Sequence, residues 1–76
     1  MSLQDFSSEF ADAVEVAPET INGDTVFKDL DIWDSLSVLV VIAMVDARFG
    51  VTINGDDLNK TTTVADLFAL VQDRQK

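Results

Sequence analysis

The sequence predicts an all-α protein, a small four-helix bundle of three main helices and one short helix, with a long first loop. Apolar residues recur at helical spacing near both ends of the chain, and a longer apolar run that stops at a glycine lies between them. The chain has 76 residues, of which 47% are hydrophobic, enough for one domain over residues 1–76 with a small core. We therefore expect every apolar helix face to contribute to that core.

The first helix is predicted over residues 3–14, where apolar side chains recur every three or four positions: Leu3, Phe6, Phe10 and Val14. Ser2 or Asp5 suits its N-terminal cap, and Pro18 marks its end because the residue before a proline disfavours helical geometry. The phenylalanine stripe is interpreted as core.

Residues 19–34 show no sustained period and are predicted to form a long loop. Asn22-Gly23 favours a local turn, but the runs on either side are too short for a stable hairpin. Loops of this length are uncommon and usually functional. We expect three apolar side chains to hold this loop against the helices: Phe27, Leu30 and Ile32.

The second helix is predicted over residues 35–49, with Gly50 ending it and Arg48 placed favourably in its last turn. It is apolar almost all round, since only Ser37, Asp46 and Arg48 interrupt the run. Such a helix is either central to its domain or docks a partner on its outer side. Candidates for an exposed surface are Val38, Val40, Ala43 and Ala47.

The last third of the chain predicts a connector, one short helical turn and a final helix. Asn54-Gly55 turns the chain, and residues 56–59 can form a single turn with acids at its N-terminal end. Thr63 and Asp66 resemble a capping box for the final helix. Its apolar stripe comprises Val64, Leu67, Phe68 and Val71, and the polar residues 72–76 mark its end.

The charge of the chain limits its partners. Fourteen acidic residues against five basic ones give a net charge of −9, which disfavours binding to nucleic acid and to anionic membranes. Proteins with basic patches are the expected partners. No apolar run is long enough to span a membrane, and the N-terminus has no basic leader, so we expect a cytoplasmic protein. An acidic chain of this size is also expected to be monomeric.

The chain contains no cysteine and no histidine, which removes disulfides, zinc ligation, thiol nucleophiles and the usual general base. No catalytic residue and no metal site is predicted, and any thiol chemistry must come from a bound group. A serine enzyme built on Ser35 is disfavoured, since the chain has no imidazole to act as its base and Lys28 is the only basic residue near Ser35 in sequence.

Asp34-Ser35-Leu36 stands where the acidic loop meets the second helix. A serine just inside a helix start lies beside unpaired N–H groups and the positive end of the helix dipole, so a phosphate ester is favoured there. Asp34 is the predicted N-cap. The alternative interpretation is that Asp-Ser merely starts a helix.

Three segments in order and at the expected spacing resemble the acyl carrier protein family: residues 30–36 (LDIWDSL), 48–53 (RFGVTI) and 62–67 (TTVADL). The resemblance implies that Ser35, flanked by Asp34 and Leu36, carries 4′-phosphopantetheine, installed from coenzyme A by a phosphopantetheinyl transferase. It implies a non-catalytic carrier that holds acyl intermediates as thioesters. The other partners implied are an acyl- or aminoacyl-loading ligase or synthase and a downstream transferase.

The resemblance also implies a partner-binding face on and beside the second helix, for which the candidates are Trp33, Ser37, Val40, Ala43, Asp46 and Ala47. Family members in fatty acid synthesis carry several acids there, whereas this chain keeps only Asp46, which predicts a more apolar and more specific face. The Trp-Asp-Ser-Leu start is similar to stand-alone carriers of one specialised pathway, such as polyketide synthesis. Acyl chains in the family can enter the bundle, and the possible lining residues are Phe27, Leu39, Ile42, Val45, Ile53, Leu58 and Val64.

Two alternatives stay open from the residues. The first is an aminoacyl or peptidyl carrier of a dedicated pathway, because nothing in the sequence identifies the cargo. The second is a helical adaptor without a cofactor that binds partners through its apolar second helix.

Overall fold

The computed structural model describes residues 2–75 and contains four α-helices: α1 (Leu3–Ala13), α2 (Ser35–Phe49), α3 (Gly55–Lys60) and α4 (Val64–Arg74). Two single-turn 3₁₀ helices, Pro18–Thr20 and Phe27–Asp29, lie in the long connection between α1 and α2. Over these residues the extended pairing is a single β-bridge between Val26 and Thr63. The predicted fold, three main helices and one short helix with a long first loop, is confirmed. No helix within residues 2–75 has the length and apolarity needed to cross a membrane.

Local capping explains where the helices begin. The hydroxyl of Ser2 accepts a hydrogen bond from the N–H of Asp5 at 3.1 Å, and the Asp5 carboxylate accepts one from the Ser2 N–H at 3.4 Å. Thr63 and Asp66 make the same reciprocal pair at the start of α4, at 3.2 and 3.0 Å. Ser2 is therefore the cap of α1, and the predicted capping box of α4 is confirmed.

The long loop carries the predicted turn and is attached to α4. The Thr25 N–H donates to the Asn22 carbonyl at 3.1 Å, which closes the turn. The Gly23 carbonyl accepts from the Ala65 N–H at 2.9 Å. A Cβ at position 23 would lie 2.7 Å from a methyl carbon of Leu3, so a larger residue here would require the Leu3 side chain to move.

Aromatic side chains form the part of the core that lies under the loop. Phe10 and Phe27 are fully buried, and the half-buried ring of Trp33 stacks on Phe10 and meets Phe27 edge-on. The prediction that Ile32 holds the loop against the helices is wrong, because Ile32 is 42% exposed. Trp33 takes that place instead, directly after a turn at residues 31–32 that its N–H closes by donating to the Leu30 carbonyl at 2.9 Å.

The end of α4 differs from the prediction. The helix continues to Arg74, into the polar segment expected to end it. The guanidinium of Arg74 binds the Asp57 carboxylate and the Thr52 carbonyl, and the side-chain amide of Gln75 donates to the Phe49 carbonyl. These contacts to distant parts of the chain hold the last turn in place.

Candidate functional site

The junction between the long loop and α2 forms the candidate site. Asp34 is the N-cap of α2, and its Oδ1 atom accepts a hydrogen bond from the Ser37 N–H at 2.9 Å. Ser35 is the first residue of the helix and is exposed. The expected helix start and its acidic cap are confirmed.

The hydroxyl of Ser35 has no hydrogen-bond partner within the part of the chain that the structure describes, residues 2–75. The first turn of α2 contains no acidic residue, so the positive end of the helix is not neutralised from within the helix. The carboxylate at the cap, that of Asp34, is directed to Ser37. Ser35 therefore presents a free nucleophilic oxygen next to a favourable site for an anion.

Exposed apolar side chains lie near Ser35 in the sequence. Leu36 is 66% exposed and Leu39, one turn further along α2, is 64% exposed. Ile32, three residues before Ser35, is also exposed. Sequence analysis missed Ile32 and Leu39 as surface residues. A signal existed for Leu39, which lies at position i+4 from Ser35 and so shares its helix face.

The structure contradicts the expectation that Ser37 lies on an exposed partner surface. Its relative exposure is 8%, and its hydroxyl contacts the Ile32 carbonyl at 2.9 Å and Asp34 Oδ1 at 3.2 Å. Trp33 likewise makes its ring contacts with core phenylalanines rather than projecting from the surface. Both residues support the junction from below.

The other predicted partner residues do lie on the outside of α2. Ala43, Asp46 and Ala47 are exposed, and Val40 is half-buried. A groove of about 280 Å³ between α1 and α2 is lined by Glu9, Asp12, Ala13, Val40, Ala43, Met44, Ala47 and Arg48. At its rim Arg48 pairs with Glu9 at 3.0 Å.

The residues named as a possible acyl lining do not form one set. Phe27, Val45, Ile53, Leu58 and Val64 are buried together in the core, and Ile42 is half-buried beside them. Leu39 instead faces solvent, so the prediction fails for this residue. The buried core residues beneath α2 and the exposed Leu39 therefore do not form one lining.

Comparison with known proteins agrees with this geometry. A protein family described as "Phosphopantetheine attachment site" matches residues 4–71. The acyl carrier proteins of Chlamydia trachomatis serovar D and serovar A are each 34% identical to this chain over 77 residues, covering 99% of both chains. The solution structure of a holo acyl carrier protein from Geobacter metallireducens is similar in fold, with a TM-score of 0.77 and 25% identity. That alignment covers 97% of this chain and 86% of the other.

The residues at the start of α2 fit a phosphopantetheine prosthetic group. Attachment through a phosphodiester requires a hydroxyl that a modifying enzyme can reach, and the Ser35 hydroxyl is exposed and unpartnered within residues 2–75. The resulting anion would lie at the N-terminus of a 15-residue helix, where the dipole stabilises negative charge.

Proposed function

Since this chain belongs to the acyl carrier protein family, whose prosthetic group is 4′-phosphopantetheine, we propose that it carries acyl groups as thioesters on an arm attached to Ser35 and presents them to partner enzymes. The observation that carries this proposal is the free, exposed hydroxyl of Ser35 at the first position of α2. When bound, the arm supplies the thiol that a chain without cysteine lacks.

Ser35 is the proposed acceptor for a phosphopantetheinyl transferase. Its Oγ atom forms the new bond to phosphorus, the nucleotide part of coenzyme A leaves, and the hydroxyl proton passes to a base. The chain has no histidine, and the cap carboxylate of Asp34 is held by Ser37, so we assign that base to the transferase. The contribution of this chain is a positioned nucleophile and a helix terminus that favours the product anion.

The proposed partner face combines charge with exposed apolar surface. A net charge of −9 attracts enzymes with basic surfaces at long range and repels nucleic acid and anionic lipid. At short range, Leu36, Val40, Ala43 and Ala47 offer apolar contacts along α2, with Asp46 as the charged contact. The same charge favours a monomer, since like-charged copies repel one another. We place this monomer in the cytoplasm as part of the proposal.

The modification of Ser35 is tested by incubating the purified protein with coenzyme A and a phosphopantetheinyl transferase of broad specificity. We expect intact-mass spectrometry to show the addition of one phosphopantetheine group. Ser35→Ala should abolish the addition, whereas Ser8→Ala, which changes an exposed serine of α1, should leave it complete. If several transferases add no mass to the wild-type chain, the carrier function is refuted and a cofactor-free adaptor takes its place.

The class of cargo is tested on the modified protein. We expect an ATP-dependent ligase that activates free fatty acids to form a thioester on the arm, seen as a second mass increase that hydroxylamine removes. Loading only by an amino-acid-activating ligase would instead identify an aminoacyl carrier.

A further inference from the structure

We propose that Ser37 is a positioning residue for the modification of Ser35, and that its hydroxyl locks the turn by which the chain enters α2. This inference rests on the proposed attachment at Ser35. It adds a role for a residue that does not itself touch the transferred group, because Ser37 is buried beneath the junction.

The hydrogen bonds of Ser37 connect two turns of the chain. Its Oγ lies 2.9 Å from the Ile32 carbonyl oxygen, five residues earlier, and 3.2 Å from Asp34 Oδ1. Both of these atoms are acceptors, and a serine hydroxyl has only one proton to donate. The shorter contact, to Ile32, therefore takes the proton, while the Ser37 N–H supplies the cap bond to Asp34 at 2.9 Å.

The segment from Ile32 to Asp34 is held from two sides as a result. On the inner side the Trp33 ring stacks on Phe10, with 6.1 Å between centroids and an interplanar angle of 8°. The Trp33 N–H also donates to the Leu30 carbonyl at 2.9 Å. On the helix side Ser37 holds the Ile32 carbonyl. These contacts oppose rotation of residues 32–34 relative to α2.

This arrangement decides which groups a modifying enzyme meets. With its carbonyl turned towards Ser37, Ile32 directs its side chain to solvent, where it is 42% exposed. Leu36, on the other side of Ser35, is 66% exposed. Ser35 is thus presented between two apolar side chains whose spacing depends on the turn that Ser37 closes. If the turn could move, the chain would adopt this arrangement only part of the time. Its apparent affinity for the transferase would then fall in proportion to the populated fraction.

A purely structural role for Ser37 makes a different prediction. Alanine has a higher helix propensity than serine, so Ser37→Ala removes the hydroxyl while favouring α2 itself. If Ser37 only supported folding, any loss of modification would follow the melting temperature. If it positions the junction, the modification rate falls while the melting temperature changes little.

The test measures steady-state phosphopantetheinylation of the full chain by one transferase with saturating coenzyme A. For Ser37→Ala we expect kcat/KM to fall about threefold to tenfold, mainly through a higher KM, as the loss of one hydrogen bond predicts. Ser37→Thr, which keeps a hydroxyl, should recover most of the loss. Ser8→Ala is the matched control and should behave as wild type.

The outcomes separate this inference from the proposed function. Wild-type kinetics for Ser37→Ala would overturn the positioning role and leave the carrier function intact. The same holds if kcat/KM falls only in proportion to melting temperature across the alanine and threonine variants. Absence of modification in the wild-type chain would instead refute attachment at Ser35 itself.

Discussion

The guanidinium of Arg74 lies alongside the carboxylate of Asp57, with two nitrogen to oxygen distances of 2.6 and 2.7 Å. Asp57 is buried, and the same carboxylate accepts the Asn54 N–H at 3.0 Å to cap α3. One acid thus starts α3 and fixes the end of α4. Since α3 has only six residues, its position depends on this contact more than on its own helical stability.

We expect Arg74→Ala to lower the melting temperature by several degrees, because it leaves the buried Asp57 carboxylate without its cation. Arg74→Lys should recover part of the loss, since an ammonium cannot make two parallel bonds to one carboxylate. The measurement is thermal unfolding followed by circular dichroism. The control is Arg48→Ala, which breaks the exposed ion pair with Glu9 and should change the melting temperature very little. Equal effects of the two alanine variants would contradict this account.

Two carboxylates, those of Asp57 and Asp66, should make the free energy of unfolding decrease at low pH. Hydrogen bonds from Arg74 and from the Asn54 backbone lower the pKa of Asp57, and hydrogen bonds from the Thr63 and Thr62 backbone lower the pKa of Asp66. A carboxylate whose pKa is lower in the folded state contributes its full stabilisation above the unfolded value. That contribution is lost as pH falls through the folded pKa.

The pH window follows from these directions. We expect the contributions of Asp57 and Asp66 to be complete above their ordinary pKa of 3.8 and to diminish below it. Asp66→Asn removes the titration while keeping a side chain of the same shape, so its difference in unfolding free energy from wild type should narrow below pH 3.8. Urea unfolding at a series of pH values measures this difference. A difference that stays constant or widens on acidification would show that Asp66 has no lowered pKa.

Substitutions on the outer face of α2 should weaken the interaction with loading enzymes and leave folding unchanged. Ala43 lies eight residues after Ser35, about 12 Å along the helix. We expect Ala43→Glu to raise the KM of the modified protein several-fold for a fatty-acid-activating ligase, since it places a charge within an apolar contact surface. Helicity, measured by circular dichroism, should be unchanged because the position is exposed.

The matched control for this face is Ala69→Glu, an exposed alanine on α4 that receives the same charge. Its KM should remain close to wild type. If both variants raise KM equally, the effect is one of net charge, and if neither does, the partner face lies elsewhere.

Features that depend on residues near each other in the chain were predicted well. The capping box of Thr63 and Asp66 spans three residues and requires only residues of the right type at that spacing. For α1 the sequence left Ser2 and Asp5 as alternative caps, and the structure shows that Ser2 is the cap. The start of α2 at Ser35 follows in the same way from Asp34.

Features that depend on how a helix is oriented were not predicted. Periodicity cannot orient α2, because its apolar residues occur all round, so both the burial of Ser37 and the exposure of Leu39 were missed. Ile32 and Trp33 were equally apolar choices for holding the loop, and only packing against Phe10 and Phe27 selected Trp33.

By itself, the sequence determined the four helices, the absence of a thiol or an imidazole, and one serine at a helix start within segments that resemble the family. These properties depend on residue type and short spacing, which can be read directly along the chain. Only the tertiary structure decided that Ser37 faces inward to hold the Ile32 carbonyl, and that Arg74 reaches back 17 residues to Asp57. Such contacts depend on which faces of the helices pack together, and this packing is determined only when the chain folds.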